Sequence, residues 1–230
     1  MASILETIRQ NAYHFPPVET ALQEPDGLLA AGGDLNPDRI LRAYSHGIFP
    51  WYSADDPILW WSPDPRCVLF TDELHISRSM AKWLKQQQLR VTTDTAFKSV
   101  IQACAQPRAK QAETWINNDI QTAYYALHQR GLAHSIEVWD GEELVGGLYG
   151  VSIGRMFFGE SMFSRTTNAS KLAFIRLVQS ASQMGFRMID CQVHNPHLET
   201  LGARCIPRGQ FVQIIEQQMQ LPPPIKWELA

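Results

Sequence analysis

The chain has 230 residues, 45% apolar and 19% charged, with a net charge of −3. This is the balance of an ordinary globular protein, with room for one large domain or two unequal ones. It excludes a globally basic nucleic-acid binder, and no apolar run approaches the ~20 residues a membrane-spanning helix needs.

The opening Met-Ala-Ser-Ile-Leu-Glu lacks a secretory signal pattern, which points to the cytoplasm. The four cysteines (Cys67, Cys104, Cys191, Cys205) have no framework spacing and read as reduced thiols. Charge is uneven: His75 to Ala112 holds seven Lys/Arg against one acid, Asp94.

Residues 1–65 read as a small loop-rich N-terminal module, because Pro and Gly recur too often for long elements. One helix is expected at Pro37–His46, capped by Asn36 and stopped by Gly47. Helical spacing returns at 76–88, where Met80, Trp83 and Leu84 form a stripe and Arg78, Lys82 and Lys85 share another face. Two more helices follow at 95–105 and 117–130.

A β meander comes next, with strands at Ser135–Trp139, Leu144–Ser152 and Met156–Glu160. Asn168 is expected to cap a helix reaching Met184, before Gly185. A strand at Arg187–Val193, a short helix at His197–Gly202 and a last helix at Gly209–Leu221 complete the chain. The class is α+β, with residues 66–230 as the larger domain.

Glu160 is a carboxylate inside an apolar run, Phe157 to Phe163, and an unpartnered buried carboxylate costs several kcal/mol. It is either a satisfied structural acid or part of a site. Alternation places Asp190 and Gln192 on one face of their strand and Ile189 on the other. That pair is either a solvated face or a device for holding an amine and a carbonyl.

The basic helix face is either solvated or a grip on phosphates, and tryptophans beside it suit a single-stranded RNA end. Cys191, His194 and His197 lack the regular spacing of a zinc knuckle, so no metal is expected. No phosphate loop or Gly-x-Ser-x-Gly elbow is present.

The blocks Glu24–Ala30, Gly47–Trp51, Leu59–Arg66, Phe158–Ser164 and Ile189–Gln192 resemble those of leucyl/phenylalanyl-tRNA–protein transferases. Matching blocks run in order from residue 15 to about 211. The resemblance implies a GNAT-like acyltransferase domain with a mixed sheet. The junction Ser164–Lys171 has no glycine, which argues against CoA as the donor.

The implied reaction moves Leu, Phe or Met from aminoacyl-tRNA to the α-amine of a protein beginning with Arg or Lys, creating an N-degron. Trp51, Trp115 and Tyr44 would hold the 3′ adenosine. Leu148, Phe157, Leu177 and Ile189 would line the side-chain pocket, and Glu160, Asp190 and Gln192 would surround the reacting groups. Arg78, Lys82 and Lys85 would touch the acceptor stem. No cofactor is implied, and a monomer is expected. Two rivals stay open: a non-catalytic tRNA-binding module, and a tRNA-dependent ligase acting on cell-wall precursors.

Overall fold

The computed structural model describes residues 13–107, 114–224 and Trp227. Arg108 and Lys110 of the basic stretch lie outside them. Three short strands, β1 (Leu28–Ala31), β2 (Phe49–Pro50) and β3 (Leu59–Trp61), form an antiparallel sheet in the order β1-β3-β2. Helix α1 (Pro37–Tyr44) lies between the first two, and Asn36 caps it by accepting from the Asp38 N–H.

A seven-stranded mixed sheet carries the rest, in the order β10-β4-β9-β8-β7-β6-β5. Its strands are β4 (Arg66–Phe70), β5 (Arg90–Thr93), β6 (Ala133–Asp140), β7 (Glu143–Ile153), β8 (Met156–Ser164), β9 (Met188–Gln192) and β10 (Arg204–Ile206). The helices are α2 (Arg78–Gln86), α3 (Phe97–Cys104), α4 (Asn118–Gln129), α5 (Ala169–Gln183), α6 (Pro196–Glu199) and α7 (Arg208–Met219). The expected α+β class and mixed sheet are both present.

The expected helices and the meander form, with ends shifted by a few residues. Strands β1 to β5 and β10 were not foreseen. Each has five residues or fewer, too short for a period to register, and each is held by its neighbours. Asn168 does not cap α5 with its side chain. It sits at φ +67, and the Ser170 N–H is met instead by Ser164 Oγ at 3.1 Å.

Two apolar cores lie against opposite faces of the large sheet. One joins Leu41, Tyr44, Phe49 and Trp60 to Val68, Tyr124, Tyr149, Phe158 and Phe211. The other packs α5 against Leu69, Leu148, Phe157 and Ile189. The first thus runs from the small sheet into the large one without a break.

Among the described residues only β8 and β9 run parallel as neighbours, and their pairing ends at Phe158 opposite Asp190. Beyond that point the two strands part. Each carries a β-bulge beside the split. In β8, Tyr149 pairs with Ser161 and Gly150 with Gly159, so Glu160 is the extra residue. In β9, Cys67 pairs with Gln192 and Val68 with Asp190, so Cys191 is extra. Bulges re-aim side chains, and here they break the two-residue period.

Candidate active site

The split opens into a cavity of about 320 Å³, within the range of small-ligand sites. Its apolar part includes Leu148, Phe157, Met162, Phe174, Leu177 and Leu198. The β8 bulge makes this wall possible. Phe157 and Met162, five residues apart, face one core, while Phe158 and Phe163 face the other. Gly150 is also required: a β-carbon there would lie 2.6 Å from the Phe157 ring.

The polar part is built around Glu160. Tyr44 donates to its Oε1 at 2.5 Å, Tyr124 to its Oε2 at 2.9 Å, and Gln192 Nε2 to Oε1 at 2.8 Å. Burial pushes the carboxyl up to about 7, against the opposing pull of the two tyrosine hydrogen bonds. The nearby Asp190 charge adds to the rise and Arg66 offsets part of it. Both tyrosines are raised well above the usual phenol range, by burial first and then by the Glu160 charge. They therefore remain donors throughout the pH range in which Glu160 titrates.

Asp190 is fully buried and occupied. Arg66 Nε and Nη2 hold its two oxygens at 2.8 and 2.7 Å, and its Oδ1 also accepts from the Gln192 backbone N–H at 2.9 Å. Arg66 lies between the Phe49 and Phe211 rings and donates to the Gly47 carbonyl at 3.1 Å. The carboxylate thus fixes the backbone of Gln192, which sits at φ +62. A side chain rarely adopts that conformation unless its surroundings impose it. Its carboxamide swings toward Glu160 as a result.

Most of the expected site residues meet here. Trp51, Trp115, Leu148, Phe157, Leu177, Glu160, Asp190 and Gln192 all line the cavity. Trp51 stays 43% exposed at the rim, its ring 5.7 Å from Trp61. Tyr44 is not at an entrance; it is wholly buried beneath Glu160. Ile189 is wholly buried in the α5 core and supports the apolar wall without lining it. Arg78, Lys82 and Lys85 are exposed on α2, outside the cavity.

The apparent conflict between an apolar pocket and a polar pair resolves at the split. There the cavity is bordered by both sheet faces, so residues of opposite parity reach it. Sequence reading missed Arg66, Tyr124, Met162, Phe174 and Leu198. Arg66 had a signal of the same kind as Glu160: a charge heading an apolar run, Cys-Val-Leu-Phe. Tyr124 had none, since an aromatic on a helix stripe reads as core.

The family model described as "Leucyl/phenylalanyl-tRNA protein transferase" matches residues 68–216, and that of its N-terminal domain matches 33–64. The chain is 55% identical over 224 residues to the leucyl/phenylalanyl-tRNA–protein transferase of Ectopseudomonas mendocina, covering 97% of this chain and 99% of that one. It is 56% identical over 220 residues to that of Pseudomonas aeruginosa strain LESB58, covering 96% and 97%. Among solved structures it is similar to L-PGS from Bacillus licheniformis, at 12% identity and a TM-score of 0.39, over 68% of this chain and 50% of the other. By the extent of these matches, the chain belongs to the leucyl/phenylalanyl-tRNA–protein transferase family.

Proposed function

We propose that this chain transfers Leu or Phe, and Met with them, from aminoacyl-tRNA to the α-amine of proteins beginning with Arg or Lys. The product is an N-degron, formed in the cytoplasm by a monomeric enzyme. One observation carries the reading: an apolar pocket sized for a side chain ends at the Glu160–Gln192 pair, with tryptophans at the rim.

The aminoacyl ester is already activated, so the enzyme's work is positioning and charge stabilisation. Leu148, Phe157 and Leu177 take the side chain, while Trp51 and Trp115 stack the 3′ adenosine. The amine nitrogen attacks the ester carbonyl. A C–N bond forms, the C–O bond breaks, the amine gives up a proton and the 3′ oxygen of the tRNA takes one. Glu160 holds the amine and is the nearest acceptor for that proton. Asp190 is wholly buried and ion-paired to Arg66, so it positions Gln192 rather than touching substrate. Arg78, Lys82 and Lys85 offer an exposed stripe for acceptor-stem phosphates.

Labelled Phe-tRNA, mixed with an Arg-initiated and a Met-initiated protein, should label only the first. Val-tRNA should transfer far more slowly, since a branch at Cβ collides with the pocket wall. A methylene's difference is worth about 1–3 kcal/mol in such pockets. Binding without transfer to either protein would favour the RNA-binding module, and equal transfer of Val would remove the pocket assignment.

A pH dependence follows from Glu160. The ionised form is the acceptor, so kcat/KM should rise through an inflection near pH 7. The amine's own titration follows near ~8. Tyr44→Phe removes a hydrogen bond that favours the carboxylate, so the lower inflection should move to higher pH. Stability runs the other way. The folded chain raises this carboxyl, so its contribution is full below the unfolded value of 4.5 and is lost as pH rises through about 7. Glu160→Gln should therefore gain thermal stability on the parent between pH 5 and pH 8.

A further inference from the structure

Three of the four cysteines meet on one face of the sheet, across the adjacent strands β10, β4 and β9. Cys205 and Cys67 are direct partners in the antiparallel β10–β4 pair, so their side chains leave the sheet on the same side. Cys67 belongs to the α5 core, and Cys191, the extra residue of the β9 bulge, packs against that core. The Cys67 thiol interacts with the thiols of both Cys191 and Cys205. All three are free, and they differ in access: Cys205 is exposed, Cys191 half-buried and Cys67 buried.

Directly opposed residues in an antiparallel pair have Cα atoms roughly 4.5–5.5 Å apart. A disulfide requires about 4.4–6.8 Å. The Cys67–Cys205 pair therefore meets the backbone condition for a cross-strand bond without moving either strand far. We propose that Cys67 and Cys205 form a redox modification site, oxidised by hydroperoxides to a disulfide that slows transfer.

The chemistry balances as two thiol oxidations against one peroxide. The Cys205 sulfur attacks the hydroperoxide O–O bond, takes one oxygen as a sulfenic acid and releases water or an alcohol. The Cys67 thiolate then attacks that sulfur. The S–S bond forms, and the sulfenic oxygen leaves as water with the proton that Cys67 gave up. The hydrogen bond with Cys191 holds Cys67 below the usual thiol range despite its burial, which suits it to the second step. Partial desolvation, with the neighbouring Cys67 adding to it, raises the Cys205 thiol, so the first step is the slow one and accelerates with pH.

The coupling to catalysis is short. Cys67 follows Arg66, which grips Asp190, and is itself the register partner of Gln192 across the bulge. Drawing Cys67 toward Cys205 pulls it from Cys191 and shifts the guanidinium that holds Asp190, whose carboxylate fixes the Gln192 backbone. Displacement of the order of 1 Å near a reacting centre can cost up to ~100-fold in rate. This part rests on the functional reading above, in which Asp190 positions Gln192.

The test treats the purified full chain with hydrogen peroxide and maps its peptides without reduction. A Cys67–Cys205 cross-linked peptide is expected. With it, kcat for Phe transfer should fall roughly tenfold, while KM for Phe-tRNA changes less, as loss of positioning predicts. Dithiothreitol should restore the rate. Cys205→Ser should match the untreated parent and show no reversible loss.

Absence of the cross-link overturns the site. A cross-link with unchanged kcat overturns its effect on transfer, as does an equal reversible loss in Cys205→Ser. A reduced enzyme that transfers nothing would refute the functional reading instead, and the peptide map would still judge the cross-link.

Discussion

Arg66→Met should cost about 3–5 kcal/mol of stability, because it leaves the Asp190 carboxylate buried and uncompensated. Asp190 is 0% exposed, and Arg66 supplies two of the three hydrogen bonds found on its oxygens. The measurement is a lower urea midpoint with an unchanged slope. A second variant separates folding from chemistry. Replacing both partners, Arg66→Met with Asp190→Leu, should recover most of the stability, since apolar substitutes for a buried pair are often neutral or better. Transfer should stay low in the double variant, because the Gln192 N–H has lost its acceptor. If Arg66→Met is as stable as the parent, the buried charge is not held as described. If the double variant transfers normally, Asp190 has no positioning role.

With the Gln192 carboxamide taken as the donor that steadies the tetrahedral intermediate, Gln192→Ala should lower kcat by roughly 100–1,000-fold, the range seen when one preorganised transition-state donor is removed. Stability should fall by no more than the one hydrogen bond to Glu160, about 1.5–3 kcal/mol, since alanine is as strained as glutamine at φ +62. Gln192→Gly relieves that strain and should be at least as stable as the alanine variant, yet equally slow. The two variants together exclude misfolding as the cause of lost activity. A near-parental kcat in both would show that the carboxamide is not used, and the reaction would then rest on Glu160 and substrate placement alone.

The helices and the meander were legible because amphipathic stripes, Asn caps and Gly stops are local signals. The site was legible in part for a different reason. Glu160 stands out because a charge in an apolar run demands partners, and those partners proved to be Tyr44, Tyr124 and Gln192. What could not be read is how the strands interrupt their own period. Alternation assigned Asp190 and Gln192 a common face, but nothing in Asp-Cys-Gln announces a bulge at Cys191. The Asn168 cap failed for a related reason: Ser164, six residues before Ser170, reached its N–H first. Arg66 was passed over because a short apolar run after Pro-Asp-Pro offers no period to count. Its partner lies 124 residues away, a distance only the folded chain closes.

The bulges at Glu160 and Cys191 also set what kind of sequence change this protein can tolerate. Substitution along β8 or β9 alters one contact at a time, and neighbours can adjust to it. A one-residue deletion or insertion between Phe157 and Met162 would cancel or double the break in parity. One side of the apolar wall would turn to face the other core, whatever residues were retained. In this short stretch the number of residues constrains drift as strongly as their identity. Length variation among functional descendants of this chain belongs in the surface turns, not in the two strands that part around the cavity.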